Sequence, residues 1–429
     1  MIFGDDGFRD RVGTGFLRID FLNNFFESLN IFLKKEKIKK IVLGFDTRKS
    51  SKNIIDIILS NIKSVDKIII HKKPIVTPDL HFCTKSKKTL GIMITASHFT
   101  KNYNGFKFFL NGKKLTKKKE KIIEKNLSVK NKITKKKKYK IKFINDEKYI
   151  NYLNKKFNFT VNKKILVDCA NGSASNYINK VKFLSRLEKI NYNYNGNNIN
   201  FNSGSNCLNK NLKRKLFKSK KYCIAFDGDG DRVLFSKKDY GIIESEKIIL
   251  IFLNYLLKNN KKNSIIGTEI TNPWLKEYLR KKKKIKFIKS KVGDRNVIDK
   301  KNKFNSFIGF ETSGHYCIEN TMDGMYAAGL FLKILKFNEN IINDVLKLKI
   351  IYKEKVLNYP LASIKKIKRK LNIIKKNRNF HLIIRKSIWN PYLKLYLFYK
   401  KKYFLNLSFH EKKLLNEIFK IKFKDRKRI

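Results

Sequence analysis

A chain of 429 residues is too long for one hydrophobic core and predicts two to four domains. Its 99 Lys and Arg against 35 Asp and Glu give a formal charge of +64, which alone would suggest nucleic acid or an acidic surface. The lysines run from Lys34 to Lys427 alongside an excess of Asn, Ile, Phe and Tyr, all with A/T-rich codons, so the charge reads as codon bias and predicts only salt-sensitive, non-specific sticking, with no specific nucleic-acid partner.

In chain order, the opening MIFGDDGFRD has no basic stretch of the secretory type. KIVLGFD (40–46) reads as a buried strand, followed by an amphipathic helix over Lys52–Ile62. LGIMITAS (91–97) is a second such strand, and the Lys-rich stretch 111–142 leads to a boundary near 150. KILVDCAN (164–171), YCIAFDGD (222–229) and SFIGFETS (306–313) repeat the habit of an apolar run ending in polar groups beside Gly, Ala or Ser. A helix is predicted over Glu246–Leu257, with further breaks around 237–246 and 345–358. After Pro360, HLIIRKS and YLKLYLFYKKKYFLNLSF alternate as strands do, predicting a small α+β unit.

The alternation of strands and helices therefore predicts α/β domains with mixed, largely parallel sheets, whose functional groups gather beyond the carboxyl ends of the strands. The longest apolar run, Ile248–Leu253, is too short to span a bilayer, so no membrane partner is expected. Cysteines 83, 169, 207, 223 and 317 show no CxxC spacing, which argues against a zinc site or a disulfide framework. Buried thiols in a reducing, cytoplasmic compartment are expected. The basic runs Lys117–Lys119, Lys135–Lys138 and Lys281–Lys284 read as solvated loops or helix faces.

AFDGDGDRVLF (225–235) carries the strongest chemical signal. Asp227, Asp229 and Asp231 alternate with glycines, and three clustered carboxylates repel one another unless a cation shares them. Their hard oxygen ligands suit Mg²⁺ or Ca²⁺. An EF-hand is excluded because its twelfth position would be Lys238 rather than Glu. Arg232 follows immediately and can hold a phosphate beside the ion. In TASHFTKNYNGFKFF (95–109), Ser97 taken alone reads as a weak nucleophile and a turn residue; beside a metal loop, however, a seryl phosphate would supply an oxygen ligand. Lys107 is then a candidate to relay protons at the accepting hydroxyl. In GFETSGHY (309–316), Glu311 and Ser313 can accept from and donate to neighbouring sugar hydroxyls.

TASH, DGDGDR and ETSGH in this order resemble the α-D-phosphohexomutase family, over roughly residues 1–330. FGDDGFRDRVG, the NIN at 198–200 and KVGDR at 291–295 look most like the branch that acts on glucosamine phosphates. The resemblance implies three related α/β domains and a smaller fourth around a central cleft: 1–150 with the phosphoserine, 151–243 with the metal, 244–352 for the sugar and 353–429 for phosphate. It implies that Ser97 is phosphorylated, that Asp227, Asp229 and Asp231 bind Mg²⁺ together with its phosphate, and that Glu311 and Ser313 grip the sugar. Arg9, His98, Lys107, Arg232, Asp294, Arg295 and His315 would line the cleft, Arg9, His98 and Lys107 beside the reacting group, and Arg385 and Ser387 would hold phosphate in the last domain. A hexose 1,6-bisphosphate would serve as activator, a phosphosugar as substrate, and the family allows a homodimer.

Two departures stand out. Phe99 and Thr100 replace the family's Asn-Pro after Ser-His, and RKSIWNP (385–391) replaces Arg-x-Ser-Gly-Thr-Glu-Pro. A β-branched Ile388 does not readily take glycine's positive φ, so this loop must be shaped differently; Lys394 could substitute as a point charge. The expected reaction interconverts glucosamine 6-phosphate and glucosamine 1-phosphate through the bisphosphate, feeding cell-wall precursor synthesis. The rivals are a phosphomannomutase or phosphoglucomutase of the same family, and a basic binding protein that has kept the fold and lost turnover.

Overall fold

The computed structural model describes residues 2–127, 139–145, 147–162, 164–257, 263–283, 285–360, 370–372, 374, 380–386, 392–400 and 415–419. Among them the strands form four sheets. The first runs Phe8–Arg11, Tyr103–Leu110, Thr89–Ile94, Lys40–Phe45, Lys67–His71, Lys140–Ile144, with the short Lys113–Lys114 paired to Tyr103–Leu110. Its central strand, TLGIMI, is buried along its whole length, as a parallel strand covered on both faces must be. Helix Ser51–Asn61 covers the sheet with Ile54 and Ile58, one helical turn apart on the buried face.

The second sheet runs Gly241–Ile242, Val233–Lys237, Tyr222–Phe226, Ile165–Asp168, Glu188–Ile190, and the third Lys286–Ser290, Ser264–Thr268, Gly309–Glu311, His315–Cys317. The fourth is antiparallel, Lys353–Pro360, Tyr392–Tyr399, Phe380–Lys386. The chain is therefore α/β with a small β-rich unit at its carboxyl end.

The first three sheets share one device. In each, a parallel strand turns back into an antiparallel partner: Thr89–Ile94 into Tyr103–Leu110, Tyr222–Phe226 into Val233–Lys237, and Gly309–Glu311 into His315–Cys317. The three turns contain TASH, DGDGDR and ETSGH. Three equivalent positions of three sheets thus supply the chemistry-bearing groups, and an isolated bridge between Arg232 and His315 joins the second turn to the third.

Helix Lys148–Lys156 straddles the expected boundary at 150, because Tyr149, Ile150 and Leu153 bury into a core shared by the second and third sheets. Helix Gly324–Phe337 lies in that same core, capped by Asp323, whose carboxylate accepts from Tyr326 N at 2.8 Å. Cys169, Cys223 and Cys317 are buried. No helix among the described residues is long and apolar enough to cross a membrane.

Buried Glu246, in the first turn of Ser245–Leu256, accepts from Asn272 N at 2.8 Å, and burial pushes its carboxyl up to about 7. Between the ordinary glutamate value and about pH 7 the folded chain holds a proton that the unfolded chain releases, so stability falls as pH rises through that window. Glu246→Gln is expected to raise Tm above the native value at pH 8, by the equivalent of roughly 2 kcal/mol. That advantage should shrink towards pH 5, and an equal Tm difference at both pH values in thermal melts would refute the assignment.

Candidate active site

Ser97 leaves the buried strand in a left-handed backbone conformation, φ +52°, an uncommon one for a residue with a Cβ. It turns Oγ onto Asp227 Oδ2 at 2.7 Å, across 130 residues. Gly228 makes the approach possible: a Cβ there would stand 2.6 Å from the Ser97 carbonyl oxygen and 2.8 Å from Asn200 Nδ2. Gly228, which separates two of the carboxylates, thus lets the two turns meet.

Asp227, Asp229 and Asp231 are buried, with one oxygen of each within 4.8 Å of the others. Burial, reinforced by the other two carboxylates, pushes Asp227 up to about 7. Thr77 Oγ1 donates to Asp229 Oδ2 at 2.7 Å, while Asp229 Oδ1 is buried with no hydrogen-bond partner. An all-oxygen donor set containing an orphaned buried oxygen fits a hard divalent cation.

Lys107 Nζ lies 2.8 Å from Asp229, 3.2 Å from Asp6 and in contact with Asp231. Burial alone would lower its pKa, but Asp229, Asp231 and Asp6 hold it well above the ordinary value. His98 behaves in the opposite way. Burial, aided by Arg232 and Arg9, drives its pKa far below the usual range, so this imidazole stays neutral, with Nδ1 3.5 Å from Ser97 Oγ. Phe99, one of the departures from the family pattern, packs its ring at a tilt, centroid 4.8 Å from His98 and 4.9 Å from Tyr103, with the Arg9 guanidinium 5.3 Å away.

On the third turn, His315 Nδ1 lies 3.1 Å from Glu311 and 3.0 Å from Ser313 Oγ, and Arg232 Nε is 2.9 Å from His315 Nε2. Burial and Arg232 oppose its charge, but Asp231 and Glu311 prevail and raise its pKa. Gly293 N donates to Glu311 at 2.7 Å. Ser97, His98, Lys107, Arg9, Arg232, the three aspartates, Glu311, Ser313 and His315 thus share one region.

The remaining expected residues are placed differently. Arg295 is held by both carboxylate oxygens of Glu120, so its fork is spent on an ion pair instead of facing an open cleft. Asp294 is paired with Lys114, which also reaches Asp6 at 2.6 Å. Arg385 approaches Asp5 at 3.8 Å and Glu269 at 4.0 Å, bringing the last unit to the mouth of the site. Ser387 and the loop through Pro391 lie outside the described residues. Lys117 and Lys119, expected on a solvated face, bond to the Gly4 carbonyl and to Glu36.

Sequence reasoning missed Asp6, Lys114, Asp46, Arg48, Asn200 and Asn206. Signals existed for four of them: Asp6 and Asn200 lie in the FGDDGFRDRVG and NIN stretches, which were given no site role for these residues, and Asp46 and Arg48 follow a buried strand in the same way the recognised turns do.

Residues 1–133 match the family model for phosphoglucomutase/phosphomannomutase alpha/beta/alpha domain I, and residues 244–350 that for domain III. The chain is 34% identical over 352 residues to a phosphoglucosamine mutase of Dictyoglomus turgidum, covering 78% of each. In fold it is similar to a phosphoglucomutase/phosphomannomutase family protein of Burkholderia thailandensis, with a TM-score of 0.81 and 19% identity over 97% of both chains. It is also similar to an Aspergillus fumigatus N-acetylphosphoglucosamine mutase solved with GlcNAc-6P and magnesium, with a TM-score of 0.66 and 14% identity, covering 98% of this chain and 96% of that one.

Proposed function

The chain belongs to the α-D-phosphohexomutase family, and from that premise we propose that it is an isomerase interconverting glucosamine 6-phosphate and glucosamine 1-phosphate through a phosphorylated Ser97. The observation that carries the reading is the 2.7 Å contact between Ser97 Oγ and Asp227, which sets a small hydroxyl nucleophile against a three-carboxylate cation site. The 34% identity to a phosphoglucosamine mutase supports the amino-sugar substrate.

In the proposed reaction, phospho-Ser97 gives its phosphoryl group to O6 of glucosamine 1-phosphate. The P–Oγ bond breaks as the P–O6 bond forms; Lys107, held as an ammonium, gives a proton to the departing Ser97 Oγ and is reprotonated by the hydroxyl. The bisphosphate then turns end over end, and its 1-phosphate returns to Ser97. Asp227, Asp229 and Asp231 would hold Mg²⁺, which when bound offsets charge on the transferring group. Arg9 and Arg232, both half-buried, repel each other, so an anion between them is favoured. Glu311 and Ser313 would take the sugar hydroxyls, and Arg385 the distal phosphate. Four domains, 1–150, 151–243, 244–352 and 353–429, are the proposed division, and a hexose 1,6-bisphosphate the proposed activator.

The test is conversion of glucosamine 1-phosphate to the 6-phosphate with Mg²⁺ and a trace of glucose 1,6-bisphosphate, followed by ³¹P NMR. Turnover is expected, faster than with glucose or mannose phosphates. Preference for either of those would move the reading to a phosphoglucomutase or phosphomannomutase, and inertness towards all three would favour a degenerate binding protein.

A further inference from the structure

Four successive carbonyls of the Ser97 turn are held from outside it. Arg48 Nη2 donates to the Ser97 oxygen at 3.1 Å and the Phe99 oxygen at 2.8 Å, and Nη1 donates to the Thr100 oxygen at 2.5 Å. Asn200 Nδ2 donates to the Ser97 and Phe99 oxygens, each at 2.8 Å, and Asn206 Nδ2 to the His98 oxygen at 2.8 Å. Arg48 is in turn fixed. Asp46 Oδ2 accepts from its Nε at 3.0 Å and from Thr95 Oγ1 at 2.6 Å, with both side chains of the pair fully buried. Thr95 Oγ1 then accepts from Ser97 N at 2.8 Å, closing the circuit on the residue it serves.

We infer that Arg48, locked by Asp46, is a positioning residue for the phosphoserine, and that Asn200 and Asn206 make the turn's shape depend on docking of the neighbouring α/β unit. The inference rests on the reading that Ser97 carries the phosphate. Ser97 sits in a left-handed conformation that costs an L-residue free energy, and the carbonyl clamp holds it there. Every contact of Arg48 described above goes to Asp46 or to these carbonyls. Its loss should therefore disturb the aim of Oγ at the transferring group without removing a substrate contact. A lysine at 48 offers one nitrogen, which cannot span three carbonyls and the Asp46 carboxylate together.

The experiment compares native, Arg48→Lys and Asn200→Ala chains in full length, with Tm as the check on folding. Two rates are read: steady-state turnover of glucosamine 6-phosphate, and single-turnover transfer from chain pre-phosphorylated with glucose 1,6-bisphosphate. Arg48→Lys is expected to lower kcat and the single-turnover rate by about 100-fold, the scale of an ångström-sized misplacement, with KM within about threefold. Asn200→Ala, which removes a single side-chain donor, should lower both rates by about tenfold and decides the matter alone if Arg48→Lys does not fold. Folded variants that keep native rates beside an active native chain, or that lose KM and kcat together, overturn the positioning role. A native chain that never transfers phosphate overturns the reading of Ser97 and the positioning role with it.

Discussion

Ser97→Ala is expected to reduce mutase turnover by roughly 10³-fold or more, the scale on which removing a covalent nucleophile acts. The substitution deletes the one atom on which the phosphoryl group would reside, and the neighbours offer no replacement. His98 is a neutral imidazole beside it, and the Asp227 carboxylate is committed to the triad. Folding should be little affected, because Ala tolerates φ +52° no worse than Ser and the carbonyl clamp acts on the backbone. Ser97→Gly adds a control: it relieves the left-handed strain yet should be equally inactive, separating the loss of Oγ from any change of backbone. Intact-mass analysis should show phosphate on the native chain after exposure to glucose 1,6-bisphosphate and none on either variant. Turnover of Ser97→Ala within tenfold of native would sink the phosphoserine mechanism.

The parts of this site that were legible in the sequence share a property. Ser97, the three aspartates and Glu311 each stand directly after an apolar run, where a buried strand must hand the chain to a turn, and Gly, Ala or Ser beside them marks the turn's tightness. The helices over 52–62 and 246–257 were legible from periodicity and lie one residue from their observed ends, Ser51–Asn61 and Ser245–Leu256. What was hidden is long-range. Arg48 meets the Ser97 turn across about 50 residues and Asn200 across about 100, and neither type is rare in a chain rich in Lys, Arg and Asn. Composition hid Lys114 in the same way: its neighbour Lys113 is exposed, and only the docking of the third unit makes one of the two a partner of Asp294. Arg295 illustrates the same limit from the other side. Its place beside Asp294 in KVGDR suggested a cleft residue, but Glu120 of helix Lys117–Asn126 claims its guanidinium. Sequence patterns carry what a strand or helix does to its own residues, and they carry little of which distant group will satisfy a buried charge.

Lys107→Met makes the sharpest case for charge competition at the triad. The ammonium lies in reach of Asp6, Asp229 and Asp231, so in the absence of a metal it is the cation these carboxylates share. Their mutual attraction outweighs the burial that disfavours both charges, so Lys107 is held above its ordinary pKa and Asp231 below its own. Bringing a divalent cation to Asp227, Asp229 and Asp231 must displace or repel that ammonium. Two opposed outcomes of one substitution are therefore expected. Turnover should fall by roughly 10²–10⁴-fold, since the proton relay to the accepting hydroxyl is gone. Affinity for Mg²⁺, measured by calorimetry on chain that has not been phosphorylated, should rise by about tenfold, the effect of removing one neighbouring positive charge worth about 1.4 kcal/mol. A residue that merely supported the fold would weaken both. Native turnover of Lys107→Met would show that the lysine does not relay the proton, and Mg²⁺ binding unchanged or weaker would show that it does not compete with the metal for the carboxylates.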